Sequence, residues 1–186
     1  VTSSLTALWR IVLISDPSVN DSTDNTFALR NTALSFYVND ASLVGDVYTT
    51  AAGNGSNDGL LPSTPKPSLI DLLATYDTEG GDIIYVDTGA YPINSLNRVI
   101  WSRGGDSVNG QMVIQGSTNL IAGGSVFTRN TSLPGNNVLE VPASYVSVRD
   151  LTLEKGYLGF SAASNLSMIV HGVMVRSNQF GAFLNQ

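Results

Sequence analysis

The chain contains no cysteine and only one histidine. The first absence removes disulfides, thiolate metal sites and a cysteine nucleophile in one step, without fixing the redox compartment. The second means that His171 has no histidine partner for a multi-histidine metal site. Charge is scarce as well: 13% of the 186 residues are charged, against about a quarter in ordinary soluble proteins. What charge there is leans acidic, with a net −6 and a pI near 4.4. That balance argues against a nucleic-acid partner or an anionic membrane surface, both of which need clustered Lys and Arg. No apolar run approaches the roughly 18 residues that span a bilayer. The stretch Leu8–Ile14 is too short, and it lacks the basic start and small-residue cleavage site of a secretory signal. The chain reads as a mature or excised piece of something longer.

Glycine is abundant, at 18 residues, alongside many Ser, Thr and Asn. Gly and Asn supply positive φ and Ser/Thr satisfy turn amides, so the mixture points to strands joined by many turns. The length suits one domain with an appended segment. Near the C-terminus two lines overlay at an offset of 22 residues: Val146–Leu153 falls on Met168–Val175, and Gly159-Phe160 then meets Gly181-Ala182. Self-similarity at such a period marks stacked-repeat architectures. A unit of short strands without a helix is one rung of a parallel β-helix, so the expected fold is all-β.

The expected organisation has two parts. Residues 1–36 form an N-terminal extension with a strand over Trp9–Ile14, either a donor strand or the tail of a preceding domain. Residues 37–186 form the β-helix, entered by a strand at Ser35–Val38. Asp40–Pro67 reads as a long loop with one β-prone patch, Val47–Thr50. The one helix, at about 68–79, carries Leu69, Leu72, Leu73 and Tyr76 on a single stripe. Ser68 is its N-cap with Asp71 three residues on, and Gly80 or Gly81 its left-handed terminator. Such a helix can cover the open start of a stack. Beyond it, Ile84/Val86, Met112/Ile114, Val146/Val148 and Met168/Val170 are expected inward on one face. Leu151/Leu153 and Val173/Val175 take a second face, and Leu139/Val141, Phe160/Ala162 and Ala182/Leu184 a third. Loops are expected at Ala90–Asn109 and Ser117–Asn137. Four or five rungs at roughly 4.8 Å each make a column about 20–25 Å tall.

Tyr37-Val38, Asn57-Asp58-Gly59, Thr64–Ser68 and Gly81–Val86 occur in that order. As an ordered set they resemble the N-terminal region of right-handed parallel β-helix proteins of the pectate-lyase-like superfamily, in particular the repeat domains of large bacterial secreted or surface proteins. The resemblance covers about 37–186 and implies the same fold and a secreted or cell-surface location.

Enzymes of that superfamily are similar in fold but rest on an acidic calcium cluster and a basic residue. Only one constellation here combines acid, base and cation: Asp87, Gln115, Arg149 and His171, expected at the same point of successive rungs. One carboxylate falls short of the 6–8 oxygens that calcium takes. No cofactor is required; calcium is the one the acidic loops could hold, at Asp16, Asp21 and Asp24 or at Asp40, Asp46 and Asp58. Plain polar turns and Asx-turns are the favoured reading of both loops. Tyr85, Trp101, Tyr145 and Tyr157 are candidate sugar platforms or simple cross-strand packing. Asn20, Asn54, Asn130 and Asn165 each head a glycosylation sequon.

Two classes of function therefore stand open. The first is an extracellular structural or interaction module, adhesin-like, cell-envelope or filament-forming, because the chain stops inside a rung. Its partner is expected to be a second copy, head to tail, or further rungs of a longer parent. Trp9, Ile11, Leu13, Phe183 and Leu184 are the expected contacts. The alternative is a polysaccharide lyase or hydrolase, or a glycan-binding β-helix, which calls for converging carboxylates or exposed aromatics.

Overall fold

A computed structural model describes residues 4–8, 10–22, 27–29, 32–94, 99, 103–163 and 166–185. The chain divides into two compact units, Val1–Ala33 and Leu34–Gln186. The boundary falls slightly before the expected 36/37 because β5 and the residue preceding it already belong to the larger unit.

The first unit is small and antiparallel. β1 (Ser4–Ala7) pairs with β4 (Phe27–Leu29), and β2 (Arg10–Val12) pairs with β3 (Asn20–Ser22). The strand expected over Trp9–Ile14 is thus shorter, since the chain turns at Ile14-Ser15. Asp16 accepts from the amide and hydroxyl of Ser18, which builds that turn.

The second unit is mostly strand, arranged in parallel sheets. Its strands are β5 (Ser35–Val38), β6 (Ile83–Val86), β7 (Gly89–Pro92), β8 (Met112–Gly116), β9 (Ser125–Thr128), β10 (Leu139–Val141), β11 (Val146–Arg149), β12 (Leu151–Glu154), β13 (Leu158–Ala163), β14 (Ile169–His171), β15 (Met174–Arg176) and β16 (Phe180–Asn185). They form three sheets ordered β5-β6-β8-β11-β14, β7-β9-β12-β15 and β10-β13-β16, with every pairing parallel. β5 serves the first sheet alone and β6 and β7 the first two, and each later pass, β8–β10, β11–β13 and β14–β16, gives one strand to each sheet in turn. The 22-residue offset is the register of the last two passes: Val148 pairs with Val170, Leu153 with Val175 and Phe160 with Ala182.

Parallel pairing in register puts like positions on top of one another, and that is why the apolar pairs of the sequence stack. Phe36, Ile84, Ile114 and Val148 make one column, with Met112 beside Val146. Tyr91, Phe127 and Leu153 make a second, with the Tyr91 and Phe127 rings stacked at 5.0 Å. Leu139/Phe160 and Val141/Ala162 make a third. All of these side chains are buried.

The corners repeat too. Left-handed φ values occur at Tyr145 and Ser167 (55° and 53°), Asp150 and Gly172 (51° and 63°), and Lys155 and Ser177 (59° and 55°). Each pair is one period apart, so the chain turns by the same device at the same place in both passes. Only one of these six residues is glycine, so the others hold a conformation that L-residues adopt at a cost.

Two expectations need correction. Ile84 pairs with Ile114, not Met112, and Val86 falls opposite Gly116. A side chain at Gly116 would meet the Asp150 carbonyl oxygen at 2.1 Å, so only glycine fits there and the inward pairs slide by two. Second, the two long loops contain strands β7 and β9. Gly89 and Pro92 read as turn residues, but Pro92 closes a strand at the sheet's edge, where a missing N–H is tolerated. Ser125 interrupts the apolar alternation of β9. It is buried with its hydroxyl between the Val86 and Asp87 carbonyls, at 2.8 and 2.9 Å, while accepting from Ser117 N. Val47–Thr50 lies in loop as expected, and its amides bond Asp87 and the Pro62 carbonyl.

The helix α1 (Leu69–Thr75) forms where expected but ends earlier. The Ser68 hydroxyl accepts from the Asp71 amide at 3.1 Å and also bonds the Asp71 carboxylate. Leu69 and Leu72 are buried, and Tyr76, already extended, packs its ring 5.0 Å from Phe36. Gly81 does take a positive φ (88°), but in the turn leading into β6.

The corner geometry gives a direct test. Lys155→Val places a β-branched residue at φ 59° and is expected to lower unfolding free energy by about 1–2 kcal/mol. Lys155→Gly should cost less than that or nothing. Urea denaturation of both variants measures the difference.

Candidate functional site

Of the expected catalytic residues, Asp87 stands apart from the others. It is completely buried, just after β6. One carboxylate oxygen accepts from Val47 N and Thr88 N at 2.7 and 2.8 Å; the other accepts from Tyr48 N, Thr49 N and Thr49 Oγ1 at 2.6–2.8 Å. Five donors saturate it. Its work is to tie the 42–51 segment to the sheet, which is where the Val47–Thr50 amides go. The ladder position that Asp87 was expected to share belongs to Tyr85: the outward row runs Tyr37, Tyr85, Gln115, Arg149, His171. The cause is the two-residue slip at Gly116. Within the row, Gln115 donates to Asp150 and to the Gly116 carbonyl, and Arg149 to Ser147 Oγ. His171 is exposed.

The aromatic candidates are spent largely on each other. Tyr85 stacks on Tyr37 at 5.5 Å and against Tyr48 at 4.9 Å, and Tyr157 meets Phe180 edge-on at 5.2 Å. Tyr145 sits at a corner, and Trp101 lies outside the described residues.

The structure does not gather either acidic loop into a ligand set. Asp58 accepts from Leu60 N and Thr64 Oγ1. The Thr64 bond, then the Leu60 amide, holds its carboxyl below the ordinary range. Asp40 accepts from Ser42 N and Ala90 N, and Asp46 from Asn39 Nδ2. Asp16 and Asp21 serve local turns, and Asp24 lies outside the described residues. Among the described residues no three His, Asp or Glu side chains are placed to hold a metal ion. Asn165 also falls outside the described set, while Asn20, Asn54 and Asn130 are exposed.

The most unusual surface is the last pass. Each sheet ends on one of its strands, β14, β15 or β16, and each of these pairs on one side only. Burial changes abruptly from one pass to the next: Val148 is 0% exposed and Val170, stacked on it, 45%; Ala162 is 4% exposed and Leu184 63%. Phe180, Phe183 and Met174 are about half exposed as well. An apolar cross-section and three strand edges therefore face outward together.

No known protein family, curated protein or solved structure matches this chain. Its reading rests on its own geometry.

At the opposite end of the stack the edges are engaged. β5 is bonded along its outer side by Tyr37 N to Gly59 O, Lys66 N to Tyr37 O and Asn39 N to Lys66 O, all at 2.8–2.9 Å. In β7, Ala90 N is bonded by Asp40, whose carboxylate occupies the space that a side chain at Gly89 would need. In β10, Glu140 N donates to Val99 O. No sequence pattern announced this asymmetry, because the blocking groups come from loops. Of the expected contacts, Phe183 and Leu184 lie on the open face. Ile11 and Leu13 are exposed on the first unit, and Trp9 is outside the described residues.

The last pass is pinned by Arg176, whose Nε donates to Glu154 at 2.7 Å. Burial opposes the charge on Glu154, but hydrogen bonds from Arg176 and Thr128, with the charges of Arg176 and Lys155, outweigh it and hold the carboxyl below its ordinary value. A depressed folded-state value means this contribution is present above the unfolded value and lost as pH falls through the folded one. Amide exchange in β15 should accelerate over that acid window in the wild type and show no such step in Arg176→Ala. Removing the buried anion is a larger perturbation. Asp87→Ala strands several buried N–H groups and should cost about 3 kcal/mol or more by chemical denaturation, while exposed Asp21→Ala should stay within about 0.5 kcal/mol.

Proposed function

We propose that residues 34–186 form a right-handed parallel β-helix of the pectate-lyase-like kind, acting as a structural and interaction module of a secreted or cell-surface protein. The module works by end-to-end association through its last rung. Three in-register parallel sheets with one strand per pass support the β-helix, and right-handed crossovers are the near-universal choice for parallel strands. The ordered motifs of residues 37–86 support the superfamily. Helix α1 is its N-terminal cap, since Leu69 and Leu72 are buried and Tyr76 packs on Phe36 of the first strand.

The observation that carries the function is the in-register parallel stack itself, whose last described strands hold apolar side chains, Val170 and Leu184, that a further rung would cover, whether it belongs to a longer parent chain or to a second copy. Unpaired strand edges combined with an apolar face are a template for another β-surface. The layer that fits it has three strands and apolar residues two apart, which is a rung of the same kind. Head-to-tail contact would need the edges of β5, β7 and β10, and these are already bonded. That leaves further rungs of a longer parent chain, or a second copy meeting the first by its own last rung; the latter contact is isologous and closes as a dimer.

The glycan-binding alternative draws on the outward row Tyr37, Tyr85, Gln115, Arg149, His171. Its two tyrosines spend their faces on one another and on Tyr48, which favours packing over a sugar platform.

Light scattering on the purified chain across a concentration series tests the proposal. The expected mass is a concentration-dependent doubling that Val170→Lys and Leu184→Lys abolish while circular dichroism stays unchanged. A monomer at every concentration would remove the end-to-end reading. Filaments on imaging would restore the head-to-tail arrangement.

A further inference from the structure

Asp46 and Asn39 form an unusual pair beneath the 42–51 segment. Asn39 is wholly buried at the end of β5. Its Nδ2 is surrounded by acceptors, with Asp46 Oδ2 at 2.7 Å, Ala51 O at 3.0 Å and Ser42 O at 3.2 Å, which fixes the amide's orientation. Asn39 Oδ1 is consequently left as an acceptor with no donor among the described residues. Asp46 Oδ1 is in the same position. Two acceptor oxygens on directly bonded partners both lack a hydrogen, a costly arrangement for buried groups.

The contrast with Asp87 sharpens the point. Asp87 has five donors. Asp46 Oδ2 has Asn39 Nδ2 and, at 3.3 Å, the Thr49 hydroxyl, whose single proton is committed to Asp87 at 2.8 Å. The charges acting on Asp46 are those of Asp87 and Asp40, both negative. Neighbouring Tyr91 is neutral and donates its hydroxyl to the Asp87 carbonyl. Among the described residues, no Lys, Arg or His is among the groups acting on Asp46. Each orphan oxygen exposes less than 1 Å², so neither has room beside it for a water molecule or a hydrated cation. A proton needs no room.

We propose that Asp46 binds a proton and donates it from Oδ1 to Asn39 Oδ1, closing a two-bond acid–amide ring that clasps the 42–51 segment to β5, and that loss of this proton loosens the segment. One proton supplies both orphan oxygens, one as donor and the other as acceptor. Burial first, then the charges of Asp87 and Asp40, raise Asp46 above the ordinary aspartate range, against the hydrogen bonds from Asn39 and Thr49. With the folded-state value above the unfolded one, the folded chain holds more protons in between. Stability is therefore greatest below the unfolded value and is lost as pH rises through the folded one. The segment so released carries the exposed Leu43, Val44 and Val47. The clasp is thus a pH-dependent control on a side surface separate from the last rung, and it does not depend on end-to-end association.

The experiment compares the wild-type chain with Asp46→Asn and Asp46→Ala. Melting temperatures are measured across acid to neutral pH, and carboxyl carbons are followed by NMR. An asparagine at 46 offers Asn39 Oδ1 a permanent N–H donor. Asp46→Asn is expected to lack the wild type's loss of melting temperature with rising pH and to melt at or above it at neutral pH. Asp46→Ala is expected to melt below Asp46→Asn throughout. In the wild type the Asp46 carboxyl should titrate at higher pH than those of Asp16, Asp58 and Asp106, which turn hydrogen bonds hold low. The proposal is overturned if Asp46→Asn is as destabilised at neutral pH as Asp46→Ala, for then the site uses the negative charge. It is equally overturned if calcium raises the melting temperature of the wild type and not of Asp46→Asn, or if Asp46 titrates with the other aspartates.

Discussion

Parallel pairing in strict register is the constraint on which the rest of the second unit depends. Once Phe36, Ile84, Ile114 and Val148 must lie above one another, every residue between them is either wall, corner or insertion. The hydrophobic columns are long-range in sequence but nearest-neighbour in space, so each pass is stabilised by the passes above and below it. The same rule explains Gly116. There the approach of the Asp150 backbone leaves no space for a side chain, and the ladder accommodates this by sliding the inward pairs. Buried polar groups are tolerated where the corners supply partners, as with Ser125 between two carbonyls and Asp87 among five donors. These sites bind loop to sheet and leave the sheet faces apolar inside.

The first half of the second unit and its last half are built differently. After Tyr145 the passes are short and corner follows strand directly. Before it, the chain spends long segments on wrapping: the 59–66 stretch along β5, the 42–51 stretch over Asp87, and the helix at the start. The first of these bonds the outer edge of β5 and the second bonds the Asp87 carboxylate. Nothing equivalent covers β14, β15 and β16 among the described residues.

Much of this was legible in the sequence where strands pair at a constant interval. Val146–Val175 betrays its register because like residues recur 22 apart, and Ser68 with Asp71 marks a helix start by local chemistry alone. Legibility failed where an interaction is non-local. Nothing near Asp87 in sequence says that its donors come from Val47–Thr49, so a buried anchor looked like a member of an outward row. Ser125 and Gly89 broke the apolar alternation for tertiary reasons, and two real strands were hidden as a result. Phe183 and Leu184, expected as contacts, are exposed on the last described strand. The bonding along the outer edge of β5 was not legible, since backbone hydrogen bonds from loops leave no signature in residue type.

Repeated left-handed corners have a mechanical consequence. Tyr145, Asp150 and Lys155, with their counterparts one period on, make each late pass a closed unit that turns on its own hinges. A pull on the C-terminal strand therefore loads one layer at a time, and each layer that peels away uncovers a face like the one just lost. Resistance to such a pull would come in equal steps, with the layer bonded by the 59–66 segment the last to yield.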